Sequence, residues 1–196
     1  MGIKIQTERI TVLKLGGSLI TKKDVPLTEN KIGLRAVGKA ISSALHENKN
    51  RRIFLVHGGG SFGHFYSKKY GLSESKKLSE PYAISTISHS MLKLHNTVRE
   101  ALMERGIWVE TILPSELLSE SQDTLSHSGI RHANDAFASG LLPITFGYVA
   151  LKNENAQIIS GDKICMAVAK SLDVDRVIFA MDVDGIYSKP FPPREG

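Results

Sequence analysis

A chain of 196 residues that is 41% hydrophobic and 23% charged can build a globular core, and this composition excludes a disordered or fibrous protein. No apolar run approaches the roughly 20 residues of a membrane helix, and Met1 to Arg9 lacks the apolar centre of a secretory signal, so a cytoplasmic protein without membrane attachment is expected. The net charge of +5 suits an anionic small ligand, but the basic residues are scattered, and no basic arm points to nucleic acid.

In chain order, Thr11 to Leu15 is a short apolar, β-branched run stopped by Gly16-Gly17, which predicts a buried strand ending in a glycine turn. Leu34, Val37, Ile41, Ala44 and Leu45 recur at three- and four-residue steps and predict an amphipathic helix from Ile32 to Leu45. Arg52 to His57 is a second buried strand that runs into Gly58-Gly59-Gly60. Ile84, Ile87, Met91, Leu94, Val98 and Leu102 predict a long helix from Pro81 to Arg105, with Gly106 as its left-handed cap.

Trp108 to Leu113 reads as the next strand, closed by Pro114. Leu142 to Phe146 and Tyr148 to Leu151 are strand-like, with Ile158-Ile159 pairing back as a hairpin. Asp162 to Leu172 reads as a helix and Arg176 to Met181 as another buried strand, ending in Asp182-Val183-Asp184-Gly185. Apolar strands alternating with helices predict an α/β fold with a mainly parallel sheet covered on both faces. In such sheets ligands bind beyond the carboxyl ends of the strands, where both glycine segments fall.

The single cysteine, Cys165, excludes an internal disulfide and lies among Ile164, Met166 and Val168, so it reads as a small buried hydrophobe. Glycines at a strand end let backbone N–H groups approach an anion, and a following helix adds its positive dipole end. Gly16-Gly17-Ser18 fits that description, although such a turn alone is weak evidence. Lys14 strengthens it, because a lysine in an apolar strand needs an anion or a carboxylate unless its stem snorkels to water.

Three successive glycines at Gly58 to Gly60 exceed the needs of a simple turn. Neither a Walker A motif nor a dinucleotide fingerprint with its acidic ribose partner is present. His64 follows the glycines and is a candidate for contact with whatever they hold, whereas His57, just before them, reads as a residue that orients the loop. His46, His89, His95, His127 and His132 lack metal-ligand spacing and read as packing or surface residues.

With Lys14 to Lys23, His57 to His64, Ser160-Gly161-Asp162 and Asp182 to Tyr187 in view, the chain resembles the amino acid kinase superfamily, and within it the isopentenyl phosphate kinases. The Lys-x-Gly-Gly-Ser and Asp-Val-Asp-Gly-Ile-Tyr segments are shared across that superfamily, whereas His-Gly-Gly-Gly-Ser-Phe-Gly-His is narrower. The resemblance implies a three-layer αβα sandwich, ATP and Mg²⁺ as cofactors, a homodimer, and phosphoryl transfer to isopentenyl phosphate in an alternative mevalonate pathway.

It further implies that Lys14, Gly16, Gly17 and Ser18 hold the ATP phosphates, that Lys23 places a cation over the transferring group, and that Gly60 donates a backbone N–H on the nucleotide side. Gly59, His64 and Gly161 would hold isopentenyl phosphate, and Asp162 would orient Lys14 and Lys23. Asp182 and Tyr187 would begin the nucleotide pocket. Lys14, Lys23, His64 and Asp162 are thus the catalytic candidates, and no residue is assigned to a metal. The resemblance further implies that residues 1–160 are mainly the acceptor lobe and 161–196 the start of a truncated nucleotide lobe, the C-terminal part of the family's chain being absent from these 196 residues. A kinase for another small phosphate or phosphonate, and a ligand-binding protein without turnover, are the alternatives.

Overall fold

The computed structural model describes residues 9–72, 80–152 and 155–182. In chain order it contains β1 (Ile10–Leu15), α1 (Gly17–Ile20), α2 (Lys31–Glu47), β2 (Arg52–His57), α3 (Gly60–Lys69), α4 (Pro81–Met103) and β3 (Val109–Thr111). Then follow α5 (Pro114–Leu117), α6 (His127–Ala138), β4 (Leu142–Phe146), β5 (Tyr148–Lys152), β6 (Asn155–Ile159), α7 (Gly161–Ser171) and β7 (Val174–Ala180). Five strands form a parallel sheet in the order β3-β4-β2-β1-β7, and β5 and β6 pair antiparallel as a separate hairpin.

Period-two alternation along β2 sorts the core into two layers. Ile53 and Leu55 point to one face, where they pack with Leu34 and Ile41 of α2, Phe62 of α3 and Leu94, Val98 and Leu102 of α4. Phe54 and Val56 point to the other, against Leu117 of α5, Ala133 of α6 and Ile164, Cys165 and Val168 of α7. The result is the three-layer αβα arrangement anticipated from the alternating pattern. The same parity puts Lys14 on the α7 face of the sheet and His57 on the α4 face, so the two enter the strand ends from opposite sides.

Three expectations need correction. The strand after Gly106 is shorter than its apolar pattern, because Trp108 is 60% exposed and Pro114 opens the one-turn helix α5. The segment from His57 to His64 is not a loop throughout, since Gly60 begins the ten-residue helix α3. Finally, β7 is not a buried strand: it is the outer strand of the sheet, pairs only with β1 among the described residues, and leaves Ile178 and Phe179 exposed.

Candidate active site

Hydrogen bonds between successive strand ends draw the three glycine turns into one row. Gly16 N–H donates to the Ala180 carbonyl at 2.8 Å, Gly58 N–H to Leu15 at 2.9 Å, and Gly147 N–H to His57 at 3.0 Å. The first turns of α1, α3 and α7 begin at this row. Helix amino termini present unpaired N–H groups and a positive dipole end, so the carboxyl edge of the sheet is built to receive anions.

The two glycine segments interlock. A Cβ on Gly17 would collide with the backbone N and Cα of Gly60, and a Cβ on Gly60 would strike Thr21 Oγ1 and the Gly17 carbonyl. Gly60 also has φ of +47°, a left-handed value that opens α3 and favours glycine. Thr21, buried, bridges the contact: its hydroxyl donates to the Gly17 carbonyl at 2.8 Å and accepts from Ser61 N–H at 2.9 Å. Ser61 in turn donates to the Thr28 carbonyl at 3.3 Å, fixing the loop that carries Lys23. The triple glycine therefore has a packing reason that holds with or without a ligand. Neither Gly59 nor Gly60 uses its N–H in a hydrogen bond among the described residues, so both remain available to an anion.

Lys14 finds the carboxylate its strand position demands: its Nζ lies 2.9 Å from Asp162 Oδ1, with the lysine side chain 11% exposed and the aspartate 60%. An aspartate so open adds little to stability, but it holds the ammonium at the strand end where an incoming phosphate can share it. Asp162 is set by α7, whose Ser160 cap accepts from Lys163 N–H. Ser18 Oγ donates to Asp182 Oδ1 at 2.7 Å, which brings the first glycine turn against the end of β7. Gly161 packs over β2, where an added Cβ would meet the His57 carbonyl at 3.4 Å.

The structure joins Lys14 to Asp162 but not Lys23, which stands exposed on the loop after α1 with no ion pair to Asp162 among the described residues. His64 is exposed on the second turn of α3, one helical turn beyond Gly60. Tyr187 lies outside the described residues.

His57 and two histidines passed over by sequence spacing, His95 and His132, have defined partners. His57 Nδ1 lies 3.0 Å from the Gly58 carbonyl oxygen and its Nε2 lies 3.1 Å from His95 Nδ1, while His95 Nε2 is 2.8 Å from Thr111 Oγ1. Both rings pack against Phe146, at 5.5 and 4.4 Å between centroids, His57 stacked and His95 tilted by 31°. Burial pushes His57 down to about 4 and His95 down to about 3, the latter helped by the nearby His57 and Arg99. His132 on α6 bridges Glu110 and Glu116, each at 2.9 Å, and these hydrogen bonds raise its pKa. A signal that could have marked His95 is its place on the buried stripe of α4, one turn after Met91; His132 carries no such signal. Cys165 is buried on α7 as anticipated, and desolvation pushes its thiol up to about 12.

Residues 9–194 match the model of the Amino acid kinase family. The chain is 30% identical over 185 residues to an isopentenyl phosphate kinase of Methanocaldococcus jannaschii, covering 90% of this chain and 70% of that one. With the Thermoplasma acidophilum isopentenyl phosphate kinase it shares 32% identity over 179 residues, 91% of this chain and 69% of the relative. The structure superposes on a product complex of the T. acidophilum enzyme with a TM-score of 0.79 at 30% identity, over 95% of this chain and 75% of that one. The chain belongs to the amino acid kinase family and groups within it with the isopentenyl phosphate kinases.

Proposed function

We propose that the chain transfers the γ-phosphoryl group of ATP to isopentenyl phosphate, yielding isopentenyl diphosphate and ADP. The observation that carries this reading is the likeness to isopentenyl phosphate kinases at about 30% identity over about 90% of the chain, joined to the row of glycine turns and helix amino termini at the carboxyl edge of the sheet. An acceptor phosphate oxygen attacks the γ-phosphorus, and the bond from that phosphorus to the β,γ-bridging oxygen breaks as ADP leaves. The second pKa of a phosphate monoester is about 6, so the acceptor is largely a dianion at neutral pH and requires no general base. Catalysis then rests on in-line positioning and neutralisation of charge.

In this reading Lys14, held by Asp162, and the turn Gly16-Gly17-Ser18 take the ATP phosphates, with Gly60 donating its N–H and Lys23 closing over the transferring group. Asp182 and Tyr187 serve the nucleotide side. Gly59, Gly161 and His64 hold the acceptor phosphate, His64 as a hydrogen-bond donor rather than a base. A buried apolar cluster of Leu72, Ile87, Met91, Phe146 and Val149 supports a hydrocarbon acceptor, because its Met91 abuts Gly59 and Gly63. Residues 1–160 would mainly form the acceptor lobe and 161–196 the start of the nucleotide lobe.

Among the described residues no group of three or more His, Cys, Asp or Glu is placed to cage a metal ion. Mg²⁺ would then be bound chiefly by phosphate oxygens and water, with Asp162 and Asp182 as the carboxylates at the glycine turns, and would neutralise β- and γ-phosphate charge. A homodimer, a cytoplasmic location and a role in an alternative mevalonate pathway are proposed on the family resemblance; among the described residues, no helix is long and apolar enough to cross a membrane.

Measuring ADP formation with isopentenyl phosphate, dimethylallyl phosphate, UMP and acidic amino acids tests the reading. The isoprenoid pair should be preferred, and a clear preference for another acceptor overturns it. ATP binding without transfer to any acceptor would favour a binding protein instead. His64→Ala should raise KM for the acceptor far more than for ATP, and equal losses for both would remove His64 from the acceptor phosphate.

A further inference from the structure

We propose that His57, His95 and Thr111 form a relay of positioning residues through which the edge strand β3 sets the direction of the Gly59 N–H toward the acceptor phosphate. The inference rests on the assignment of Gly59 to that phosphate. It starts from an atom with only one possible role: the Gly58 carbonyl oxygen has no hydrogen to give, so His57 Nδ1, at 3.0 Å, must carry one. A neutral imidazole bears a single N–H, which leaves His57 Nε2 bare. That nitrogen accepts from His95 Nδ1–H at 3.1 Å, so His95 Nε2 is bare in its turn and accepts the Thr111 hydroxyl hydrogen at 2.8 Å.

Every direction in the chain therefore follows from the first. Burial of both rings maintains the neutral state this order requires. The nearby Arg99 disfavours protonation of His95 as well. Phe146 stacks on His57 and packs at a tilt of 31° against His95, which restrains both imidazoles.

The relay reaches the site through peptide geometry. The described backbone has no cis peptide bond, so the Gly58 carbonyl and the Gly59 N–H point in opposite directions across one rigid plane. Drawing the carbonyl against His57 turns the Gly59 N–H away from the ring, and that N–H has no partner among the described residues. Glycine on both sides of this peptide leaves its plane free to rotate unless something holds it. The buried histidine pair supplies the hold, and Thr111, at the last residue of β3, terminates the chain as its final donor.

Two measurements test this. Nitrogen-15 NMR of the imidazoles in the unaltered, substrate-free protein should find both His57 and His95 protonated at Nδ1 and bare at Nε2; a hydrogen on His57 Nε2 overturns the relay whatever the kinetics. In assays with ATP and isopentenyl phosphate, His57→Leu should raise acceptor KM about tenfold and ATP KM less than about twofold, the scale of one lost hydrogen bond. His57→Asn, whose amide N–H falls near the position of Nδ1, should restore acceptor KM to within about threefold of the original. Equal rises in both KM values, or an asparagine variant no better than leucine, overturn the proposal. Absence of turnover by the unaltered protein would overturn the acceptor assignment instead, and the NMR result then decides the relay alone.

Discussion

Glu110 and Thr111 are neighbours on β3, and the pleat sends their side chains to opposite faces of the sheet, each to a histidine. On the α4 face Thr111 meets His95, which is 2% exposed and linked to the fully buried His57. On the α6 face Glu110 meets His132, whose side chain is 28% exposed and which also holds Glu116. Desolvation lowers the first pair to about 3 and 4; two carboxylates raise the second. One residue type is thus a connector whose protonation burial disfavours on one face, and a group whose protonation two carboxylates favour on the other. Burial and partner charge decide which.

The largest effect that separates the two faces is an acid sensitivity of opposite sign. His57 and His95 have folded pKa values below the unfolded value of about 6.5, so the unfolded chain binds their protons first as pH falls, and stability declines from about 6.5 toward about 4 for His57 and about 3 for His95. Between about pH 7 and pH 5 each should cost about 2 kcal/mol, measured by urea denaturation. His132 acts the other way, since its raised pKa adds stability below about 6.5 that disappears as pH climbs through the folded value. The acid loss should therefore grow in a His132→Gln background. An unchanged or rising stability on that descent in the variant would contradict the buried, neutral assignment.

A smaller effect tests the outer end of the buried chain. Thr111→Val keeps the β-branched shape on β3 but removes the hydroxyl that donates to His95 Nε2. A buried acceptor left without its donor costs about 1–2 kcal/mol, and Thr111→Ser should recover most of it. Equal stability of the threonine and valine proteins would show that the chain does not end at Thr111.

How far these features could be read from the sequence follows the same division. The parallel sheet was legible because β1, β2 and β4 are continuous apolar runs and α2 and α4 carry wide apolar stripes. Helix α6 was not, because its buried positions Gly129, Ala133 and Ala136 are small and give little periodic signal. Lys14 was legible as a charge that needed a partner, and Asp162 met it. The interlock of Gly17 with Gly60 was hidden, since it depends on two turns 43 positions apart lying side by side at adjacent strand ends. His95 and His132 were hidden for a related reason: their partners are remote in the chain and are brought together only by strand order.

The smallest effect belongs to His132 itself. His132→Gln removes a charge that is shared with two half-exposed carboxylates, and water can solvate Glu110 and Glu116 once it is gone. The loss should stay below about 1 kcal/mol at about pH 6, vanish near pH 9 and shrink in about 1 M salt, while KM and kcat remain within about twofold of the original. The contrast with His57→Leu is then complete, because only the buried chain ends on the glycine peptide. A loss that persists undiminished near pH 9 would give the α6 cluster a different character: His132 would be holding α5 and α6 to the edge of β3 through uncharged hydrogen bonds and packing, and the difference between the two faces would lie in burial alone.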